Sequence, residues 1–388
     1  MKYQIIKRLL SKISMIDKNT PIQLSKPIIG DEEIKNVTAV LKSGMLAQGA
    51  VTKKFEERFA NLCGTKYAVA VSNGTAAIHC ALYAFGVDEQ DEVITTPFTF
   101  VATANPILMQ RARVVFADIS ESDYCIDPQE VKRKITNKTK VIIPVDLFGQ
   151  IYDSKYISEI AKSNHIQTLE DACQAVGASR NGIMAGNVAD ISVFSLYATK
   201  NITTGEGGMI TTNNEEYARR CKIFRHHGQD ESLRYEYLDM GYNYRTTDIC
   251  SAIGLAQLDR LESINSKRIA LSKIYYKKLK NVSGIALPQI SSGNIHVFHQ
   301  FSIRLQDDFC GTRESLISYL EENNIKTGIY YPKPLHLHPH FRKFGYKEGD
   351  FPVSEKIATQ ILSLPIHPSL TEEQVNFVSD KIIEYAKK

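Results

Sequence analysis

Short apolar runs alternate with amphipathic segments through the first half of the chain. Such runs are typical of strands buried on both faces of a sheet, whereas apolar residues three or four apart are typical of helices. The predicted strands are residues 67–71, 92–95, 114–117, 141–145, 166–169 and 191–194. The predicted helices are residues 31–43, 53–62, 76–85, 101–109, 128–135 and 154–162. This alternation predicts βα units and a mostly parallel sheet covered by helices, the mark of an α/β protein.

A long helical pattern over residues 246–279 precedes a change in composition. Residues 282–295 are richer in Gly, Pro and Ser and are interpreted as a linker. Beyond it we predict strand 299–305, helix 312–323, a short strand 326–330, and helices near 353–361 and 372–386. Thr371 and Gln374 form a capping-box pattern at the start of the last helix. We therefore predict an N-terminal extension (1–21), a large domain (22–281) and a smaller C-terminal α+β domain (282–388).

Length and charge narrow the class of protein. A chain of 388 residues is too long for one small core, which favours two domains. The net charge of +4 is small and dispersed, so neither nucleic acid nor a membrane is a predicted partner. Residues 1–20 are basic with apolar positions at helical spacing, and they lack the features of a secretory signal. Three interpretations of this segment stay open: a docking helix, a frayed extension, and weak attachment to an anionic membrane surface.

The seven cysteines are widely spaced and include no CxxC pair. This pattern argues against a disulfide framework and against structural zinc, and it predicts a reduced, cytoplasmic protein. Cys80 and Cys173 lie in otherwise apolar stretches, where we expect small core residues.

Lys200 is the central candidate for chemistry, because it lies between a predicted strand end and the glycine-rich stretch 203–208. A lysine amine can condense with an aldehyde cofactor, and small neighbours let a planar ring approach the backbone. We interpret Lys200 as a Schiff-base lysine that holds pyridoxal phosphate. The competing interpretation is an ordinary solvated lysine beside a loop.

Other candidates follow predicted strands, and ligands of parallel sheets bind beyond the carboxyl ends of the strands. The turn at residues 72–75 precedes a helix and offers N–H groups to a phosphate, although it also fits an ordinary N-cap. Asp171 can pair with a protonated pyridine nitrogen and keep the ring an electron sink. Gln174 can reach the ring's phenolic oxygen, and Phe100 can stack on the ring. A capping or surface glutamine and a core aromatic are the competing interpretations of these two.

Seven motifs occur in a fixed order: SNGTAAIH, TTPFTFVATAN, PVDLFGQ, EDACQAVGA, FSLYATKNITTGEGG, GYNYRTTDICSAIGLAQL and PKPLHLHPHF. On these motifs the chain resembles the DegT/DnrJ/EryC1/StrS family of pyridoxal phosphate-dependent nucleotide-sugar aminotransferases, over residues 22–385. The resemblance implies fold type I, a large domain with a mostly parallel sheet and a smaller C-terminal α+β domain. It also implies pyridoxal phosphate as cofactor, and a nucleotide-linked ketosugar and L-glutamate as substrates in surface polysaccharide pathways.

The resemblance also implies roles for single residues. Lys200 becomes the cofactor lysine and proton shuttle, Asp171 the partner of the ring nitrogen, Phe100 the stacking ring and Gln174 the phenolate contact. Gly74, Thr75 and Ser195 become phosphate ligands, and Asn243, in GYNYR, reaches the phosphate from a second subunit. A homodimer with two shared sites follows from that last assignment.

Two positions depart from the family pattern. Asp146 and Tyr330 stand where the family often has histidine. Because Tyr330 lies in a region that contacts substrate in relatives, Tyr330 and Tyr331 are predicted substrate contacts. Lys200 has not become histidine, as it has in the family's dehydratases, which favours transamination.

The histidines of the segment PLHLHPH have two interpretations. His336, His338 and His340 alternate without a nearby Cys or carboxylate in the segment, so we predict no metal site. His336 and His338 are instead predicted substrate contacts. The glycine-rich loop is not a dinucleotide fingerprint, since Ile210 stands where a third glycine is needed. The alternatives are a pyridoxal phosphate enzyme that acts on a non-nucleotide ketone or by dehydration, and a non-catalytic regulatory protein of the same fold.

Overall fold

A seven-stranded sheet forms the centre of the computed structural model, which describes residues 20–230 and 235–387. The strands up to residue 212 are β1 (Tyr67–Val71), β2 (Glu92–Thr95), β3 (Arg113–Phe116), β4 (Thr139–Ile143), β5 (Gln167–Asp171), β6 (Ser179–Arg180), β7 (Ile183–Met184), β8 (Ile191–Ser195) and β9 (Gly208–Thr212). Their order across the sheet is β1-β9-β8-β5-β4-β2-β3, with β6 and β7 in a separate small sheet. The mostly parallel sheet confirms the predicted α/β fold.

Among the described strands of this sheet, β9 is the only one that is antiparallel to its neighbours. Its first residue, Gly208, pairs with Val71 at the end of β1 and with Ser195 at the end of β8. A Cβ atom on Gly208 would lie 2.4 Å from the carbonyl oxygen of Asn73, so only glycine allows the strands and the following turn to meet this closely. The ends of β1, β5 and β8 therefore lie close together at the carboxyl edge of the sheet.

Helices cover both faces of the sheet. They are α1 (Asp31–Ser43), α2 (Ala50–Cys63), α3 (Gly74–Ala84), α4 (Asn105–Met109), α5 (Pro128–Lys134), α6 (Ser154–Ser163), α7 (Glu215–Arg225) and α8 (Asp248–Leu279). Because successive strand residues point to opposite faces, Phe194 packs with Phe59 in one core while Val193 packs with Phe224 in the other. Cys80 lies in the second of these cores, as predicted.

The C-terminal part is smaller and is built on an antiparallel sheet. Its elements are β10 (Ile285–Ala286), β11 (Asn294–Ile295), β12 (Phe301–Leu305), α9 (Arg313–Glu322), α10 (Pro339–Arg342), α11 (Pro352–Gln360), β13 (Ile361–Leu364) and α12 (Glu372–Tyr385). Strands β10, β12 and β13 form the sheet, and β11 joins β6 and β7. Helix α8 supplies Leu271 and Tyr275 to the core below the sheet, so this one helix belongs to both parts.

Several predicted elements need correction. Residues 326–330 do not form a strand; Ile325 and Gly328 make single bridges, to Ile22 and Ser363. The predicted helix 101–109 is divided into a 3-10 turn (Val101–Thr103) and α4. Proline stands in the first turn of α4, where its missing N–H costs nothing, so the second helix begins there.

Two further differences concern the C-terminal part. The predicted helix near 353–361 ends at Gln360, and the next four residues form β13, which was not predicted. The presumed linker contains β10 and β11. The domain boundaries at 21 and 281 stay predictions. The interpretations of residues 1–19 fall outside the described residues. Within residues 20–230 and 235–387, no helix has both the length and the apolar character needed to cross a membrane.

Candidate active site

A cavity of about 1050 Å³ lies at the carboxyl edge of the seven-stranded sheet. Predicted site residues that line it are Gly74, Thr75, Phe100, Asp171, Gln174, Ser195, Lys200, Tyr330 and Tyr331. They come from segments that are distant along the chain and meet because parallel strands end at one edge. The fold thus brings most of the predicted site together.

The N-terminus of α3 forms one end of the cavity. Asn73 caps the helix, since its Oδ1 accepts a hydrogen bond from the N–H of Ala76 at 2.9 Å. The N–H groups of Gly74 and Thr75 belong to the first helical turn, which has no intrahelical acceptors. A Cβ atom on Gly74 would lie 3.1 Å from both Cys173 Sγ and Ser195 Cβ, so glycine lets the helix begin directly against β8. Free N–H groups and the positive helix end suit an anion such as a phosphate.

Lys200 enters the cavity from the turn after β8. Its N–H donates to the carbonyl of Tyr197 at 2.9 Å, and the next residue, Asn201, donates from Nδ2 to Asn265 Oδ1 at 2.8 Å and to the Val297 carbonyl at 3.0 Å. These bonds tie the turn to α8 and to the C-terminal part. Burial lowers the pKa of Lys200 from 10.5, against weaker opposing effects of Cys173 and Asp171. The uncharged amine, which is the nucleophilic form, is therefore favoured.

Asp171 is held by both of its carboxylate oxygens. Oδ2 accepts a hydrogen bond from Thr103 Oγ1 at 2.7 Å, and Oδ1 accepts one from the N–H of Cys173 at 3.2 Å. Thr103 Oγ1 also shares a hydrogen bond with Thr99 Oγ1 at 2.9 Å. Thr103 was not among the predicted residues, and nothing in the sequence singles it out. The carboxylate thus faces the cavity in a fixed orientation, opposite a lysine amine.

Gln174 has a defined amide orientation. Its Oε1 accepts a hydrogen bond from the N–H of Phe148 at 2.8 Å, so Nε2 is the donor end, and it donates to the hydroxyl of Tyr331 at 3.2 Å. Phe148 has a left-handed backbone (φ 61°), which costs free energy in a residue other than glycine. This conformation directs its N–H at Gln174. The neighbouring Gly149 (φ 109°) was the available sequence signal for an unusual turn here.

Aromatic side chains form a wall of the cavity. Phe100 is 57% exposed, and its ring centroid lies 6.3 Å from that of Tyr331, with 30° between the planes. An exposed ring at a cavity mouth offers a face on which a planar ligand can stack. Burial raises the pKa of Tyr331, so its hydroxyl stays protonated.

Three predicted residues are not brought to this cavity within the described chain. Asn243 is exposed and pairs with His226 outside the lining. His336 is fully buried, with Nε2 2.8 Å from Glu355 Oε1, because a 3-10 turn folds it inward. The expected substrate contact of His336 is therefore corrected to a packing role. His338 lies with Nε2 3.3 Å from the Lys333 carbonyl, also outside the lining. No group of His, Cys, Asp or Glu in the described ranges could hold a metal ion.

His299 and Glu206 also line the cavity and were not predicted. His299 is buried, and no described group bonds its Nδ1. Burial, followed by Lys200 and Arg268, holds the pKa of His299 well below 6.5, so the ring is neutral. Glu206 adds a carboxylate. Lys200 is the only lysine or arginine among the described residues that line the cavity.

This arrangement fits pyridoxal phosphate. The helix end with its packed glycine suits the phosphate, the exposed ring of Phe100 suits the face of a pyridine, and Lys200 and Asp171 suit its aldehyde and its nitrogen. A desolvated amine and a fixed carboxylate in one cavity are the groups that this cofactor needs.

Comparison with known proteins agrees with the geometry. Residues 27–383 match the DegT/DnrJ/EryC1/StrS aminotransferase family. The spore coat polysaccharide biosynthesis protein SpsC of Bacillus subtilis is 37% identical over 383 residues, covering 95% of this chain and 98% of the relative. The GDP-perosamine synthase of Caulobacter vibrioides is 36% identical over 331 residues, covering 85% and 88%.

A solved structure shows the same likeness. Spr1654 from Streptococcus pneumoniae, in its PLP-form, has a TM-score of 0.90 and 28% identity, covering 95% of this chain and 99% of that chain. Family, relatives and fold therefore agree with the cofactor that the cavity fits. The chain belongs to the DegT/DnrJ/EryC1/StrS aminotransferase family and is a pyridoxal phosphate-dependent sugar aminotransferase.

Proposed function

We propose that the protein transfers an amino group from L-glutamate to a 3- or 4-keto group of a nucleotide-linked deoxysugar, for the synthesis of surface polysaccharides. The observation that carries the proposal is the buried amine of Lys200, which shares one cavity with Asp171. The relatives named for GDP-perosamine and spore coat polysaccharide support the substrate class. The cavity of about 1050 Å³ is at the upper end of the usual range for ligand pockets, which suits a cofactor with a large substrate.

Lys200 is the proposed proton carrier. When bound, pyridoxal phosphate supplies the electron sink that stabilises a carbanion at the donor's α-carbon. In each half-reaction Lys200 Nζ would take a proton from one carbon and deliver it to another, so that the amine ends each half-reaction in the form in which it began. The donor's α-carbon would lose a proton in the first, and the sugar carbon that receives nitrogen would gain one in the second. The lowered pKa of Lys200 favours the basic form of the amine that the first proton transfer needs.

The other cavity residues bind and orient in this proposal. Asp171 keeps the ring nitrogen protonated, Phe100 stacks on the ring, and the donor end of Gln174 faces the phenolic oxygen. Gly74, Thr75 and Ser195 hold the phosphate at the start of α3. Tyr330 and Tyr331 contact the substrate from the C-terminal part.

A second subunit is part of the proposal. Phosphates and glutamate bring several negative charges, whereas Lys200 is the only lysine or arginine among the described lining residues. Asn243 is exposed outside the lining, and Arg245 follows it, with NH1 2.7 Å from His226 Nδ1. We propose that Asn243 of the partner subunit reaches the phosphate and that Arg245 of the partner subunit adds the missing positive charge.

Exposed apolar residues support this homodimer. Met45, 71% exposed, precedes Leu46, whose carbonyl accepts from the N–H of Asp248 at the start of α8, and Met240, 65% exposed, lies three residues before Asn243. Large exposed apolar side chains are a mark of protein interfaces. A cytoplasmic location stays a prediction from the sequence.

The test uses purified protein loaded with pyridoxal phosphate. We expect a visible absorption band that L-glutamate bleaches and a keto nucleotide-sugar restores, with an aminated sugar detected by mass. Lys200→Ala is expected to lack the band, whereas the control Lys155→Ala, at an exposed lysine of α6, keeps it.

Each other outcome points to a different activity. Equal turnover of ketones without a nucleotide would replace the proposed substrate class. A product that has lost oxygen without gaining nitrogen would identify a dehydratase. A band that glutamate and every other amino donor leave unchanged would favour a regulatory protein and contradict the proposal.

A further inference from the structure

Two fully buried carboxyl groups lie directly behind Asp171. Asp146 follows β4 and Glu170 lies in β5, and each is 0% exposed. The N–H of Asp146 donates to the carbonyl of Asp171 at 3.0 Å, and Glu170 is the residue before Asp171. Successive strand residues point to opposite faces, so the carboxyl group of Glu170 lies across the sheet from that of Asp171, but the charge of Asp171 still raises the pKa of both buried groups.

One oxygen of each buried carboxyl group has an ordinary backbone donor. Asp146 Oδ1 accepts from the N–H of Tyr152 at 3.1 Å, and Glu170 Oε2 accepts from the N–H of Gly186 at 2.8 Å. The other two oxygens, Asp146 Oδ2 and Glu170 Oε1, have no donor in the described chain. Buried oxygens without a partner carry a free-energy cost, which a shared proton removes.

The two carboxyl groups act on each other's pKa, and Ser192 acts on that of Glu170. Ser192 Oγ is another buried oxygen without a partner among the described residues. Ionised carboxylates only accept hydrogen bonds, so a hydrogen bond between the two carboxyl groups needs a proton on one of them. Burial, followed by the charge of Glu170, raises the pKa of Asp146 well above 3.8. Burial also raises the pKa of Glu170, but the interaction between the two groups lowers the pKa of Glu170 and raises that of Asp146, which favours the proton on Asp146.

Acidic groups surround the pair. Asp171 acts on the pKa of both groups, and the pair acts in turn on Tyr152 and on the thiols of Cys63, Cys125 and Cys173. None of these groups is a cation. A shared proton therefore limits the pair to one negative charge, on Glu170.

We propose that Asp146 is a protonated positioning residue that donates to Glu170, so that the pair holds one fixed negative charge behind Asp171 and favours a protonated cofactor nitrogen. This inference rests on the proposed pairing of Asp171 with that nitrogen. The charge of Glu170 favours retention of a proton between Asp171 and the ring, and the more basic nitrogen holds it.

The test compares Asp146→Asn with Glu170→Gln. Asparagine keeps the size, the neutral charge and a donor, so the ring nitrogen should stay protonated over the same pH range as in the wild-type protein. Glutamine removes the fixed charge, and the pH at which the nitrogen loses its proton should fall by about one unit. Nitrogen-15 NMR of labelled pyridoxal phosphate on the protein measures this midpoint. If the pH midpoint of the ring nitrogen is unchanged in folded Glu170→Gln, the pair only contributes to packing, and the proposal is overturned.

A second measurement uses cofactor-free protein and does not depend on the ring. The native state keeps a proton on Asp146 that the unfolded chain releases above pH 3.8, so wild-type stability declines with rising pH relative to Asp146→Asn. We expect the difference in Tm to grow from about pH 5 to about pH 8. A constant difference would show that Asp146 is ionised and would overturn the shared proton.

Infrared difference spectroscopy covers the case in which Glu170→Gln does not fold. The wild-type minus Asp146→Asn spectrum should contain the carbonyl stretch of a protonated carboxylic acid, and its absence would refute the proposal. Failure of the proposed function has a different signature. In that case the wild-type protein carries no cofactor on Lys200, while the cofactor-free measurements still decide where the proton lies.

Discussion

The hydroxyl of Thr103 is a small group with a defined effect on the site. It donates to Asp171 Oδ2 at 2.7 Å, and Thr99 contacts only that hydroxyl among the described hydrogen bonds. Hydrogen bonds to charged groups contribute about 1.5–3 kcal/mol. Thr103→Val is therefore expected to weaken pyridoxal phosphate binding about tenfold in a fluorescence titration. Thr99→Val, as the matched control, should change the dissociation constant much less, and equal effects would contradict a role through Asp171.

Lys200 gives a prediction about pH in cofactor-free protein. Burial lowers its pKa from 10.5, so its amine should react with acetic anhydride at lower pH than an exposed lysine does. Peptide mapping of labelled protein measures this against Lys155 in the same digest. A reaction profile of Lys200 that coincides with that of Lys155 would contradict the burial effect.

The same shift has a consequence for stability. The unfolded chain binds a proton at Lys200 that the native state disfavours, so the wild-type protein gains stability relative to Lys200→Met as pH rises toward 10.5. The gain begins above the lowered pKa of the native state. Thermal unfolding of both cofactor-free proteins over this range measures it, and a difference that narrows with pH would have the wrong sign.

Residues of the cavity could be predicted when their position after a strand carried the information. Asp171 is the last residue of β5 and Lys200 follows β8, and both line the cavity, as expected from the sheet edge. Thr103 and Phe148 could not be predicted in this way, because their roles depend on a hydroxyl contact and a backbone angle set by distant segments. His336 was wrong because alternation does not tell which side of a short turn faces inward.

At the scale of elements, the start of α3 is expected to depend on Gly74. A Cβ there meets Cys173 Sγ and Ser195 Cβ at 3.1 Å, closer than ordinary contact. Gly74→Ala should push the helix away from β8 and lose about 1–2 kcal/mol of cofactor binding. Gly30→Ala, before α1, is the control, since its Cβ would meet its nearest atom at 3.5 Å. Dialysis followed by absorbance measures retained cofactor, and equal retention in both variants would count against the packing argument.

Helix α12 allows a test of stability that leaves the site alone. Thr371 accepts a hydrogen bond from the N–H of Gln374 at 3.2 Å, and Gln374 Oε1 accepts one from the N–H of Thr371 at 3.0 Å, which confirms the predicted capping box. Thr371→Ala should lower the free energy of unfolding by about 1 kcal/mol with the absorption band unchanged. Thr359→Ala, in α11, should have a smaller effect in the same denaturant titration. A larger loss for Thr359→Ala would show that the cap is not the cause.

The strands of the large sheet were predictable because they are continuous apolar runs between polar turns. Both β1 and β2 have the predicted bounds. The predicted strand at 326–330 was wrong because Gly328 makes only a single bridge, to Ser363, and the segment joins no ladder. Strand β13 was hidden because its apolar residues continue the pattern of α11. Pairing with β12, which no local pattern reveals, decides its structure.

At the scale of the whole molecule, the proposed homodimer predicts complementation between two inactive variants. Lys200→Ala disables the cavity of its own chain, whereas Asn243→Ala is expected to disable the cavity of its partner. After unfolding and refolding together in equal amounts, half of the dimers combine the two variants and each holds one intact site. About one quarter of wild-type activity should return. A mixture no more active than the separate variants would contradict sharing of the sites.

Helix α8 runs without interruption for 32 residues, about 48 Å, from the rim of the cavity into the core of the C-terminal part. Arg268 is buried within α8 and donates to the carbonyls of Phe298 and Ile366. These hydrogen bonds attach the C-terminal part to the helix. A large hinge motion between the two parts would break these hydrogen bonds. The small amino donor and the bulky sugar must therefore bind one after the other in a cavity whose shape changes little. Selectivity then depends on the side chains at the rim, and exchanging rim loops between relatives becomes a practical route to enzymes that make other amino sugars.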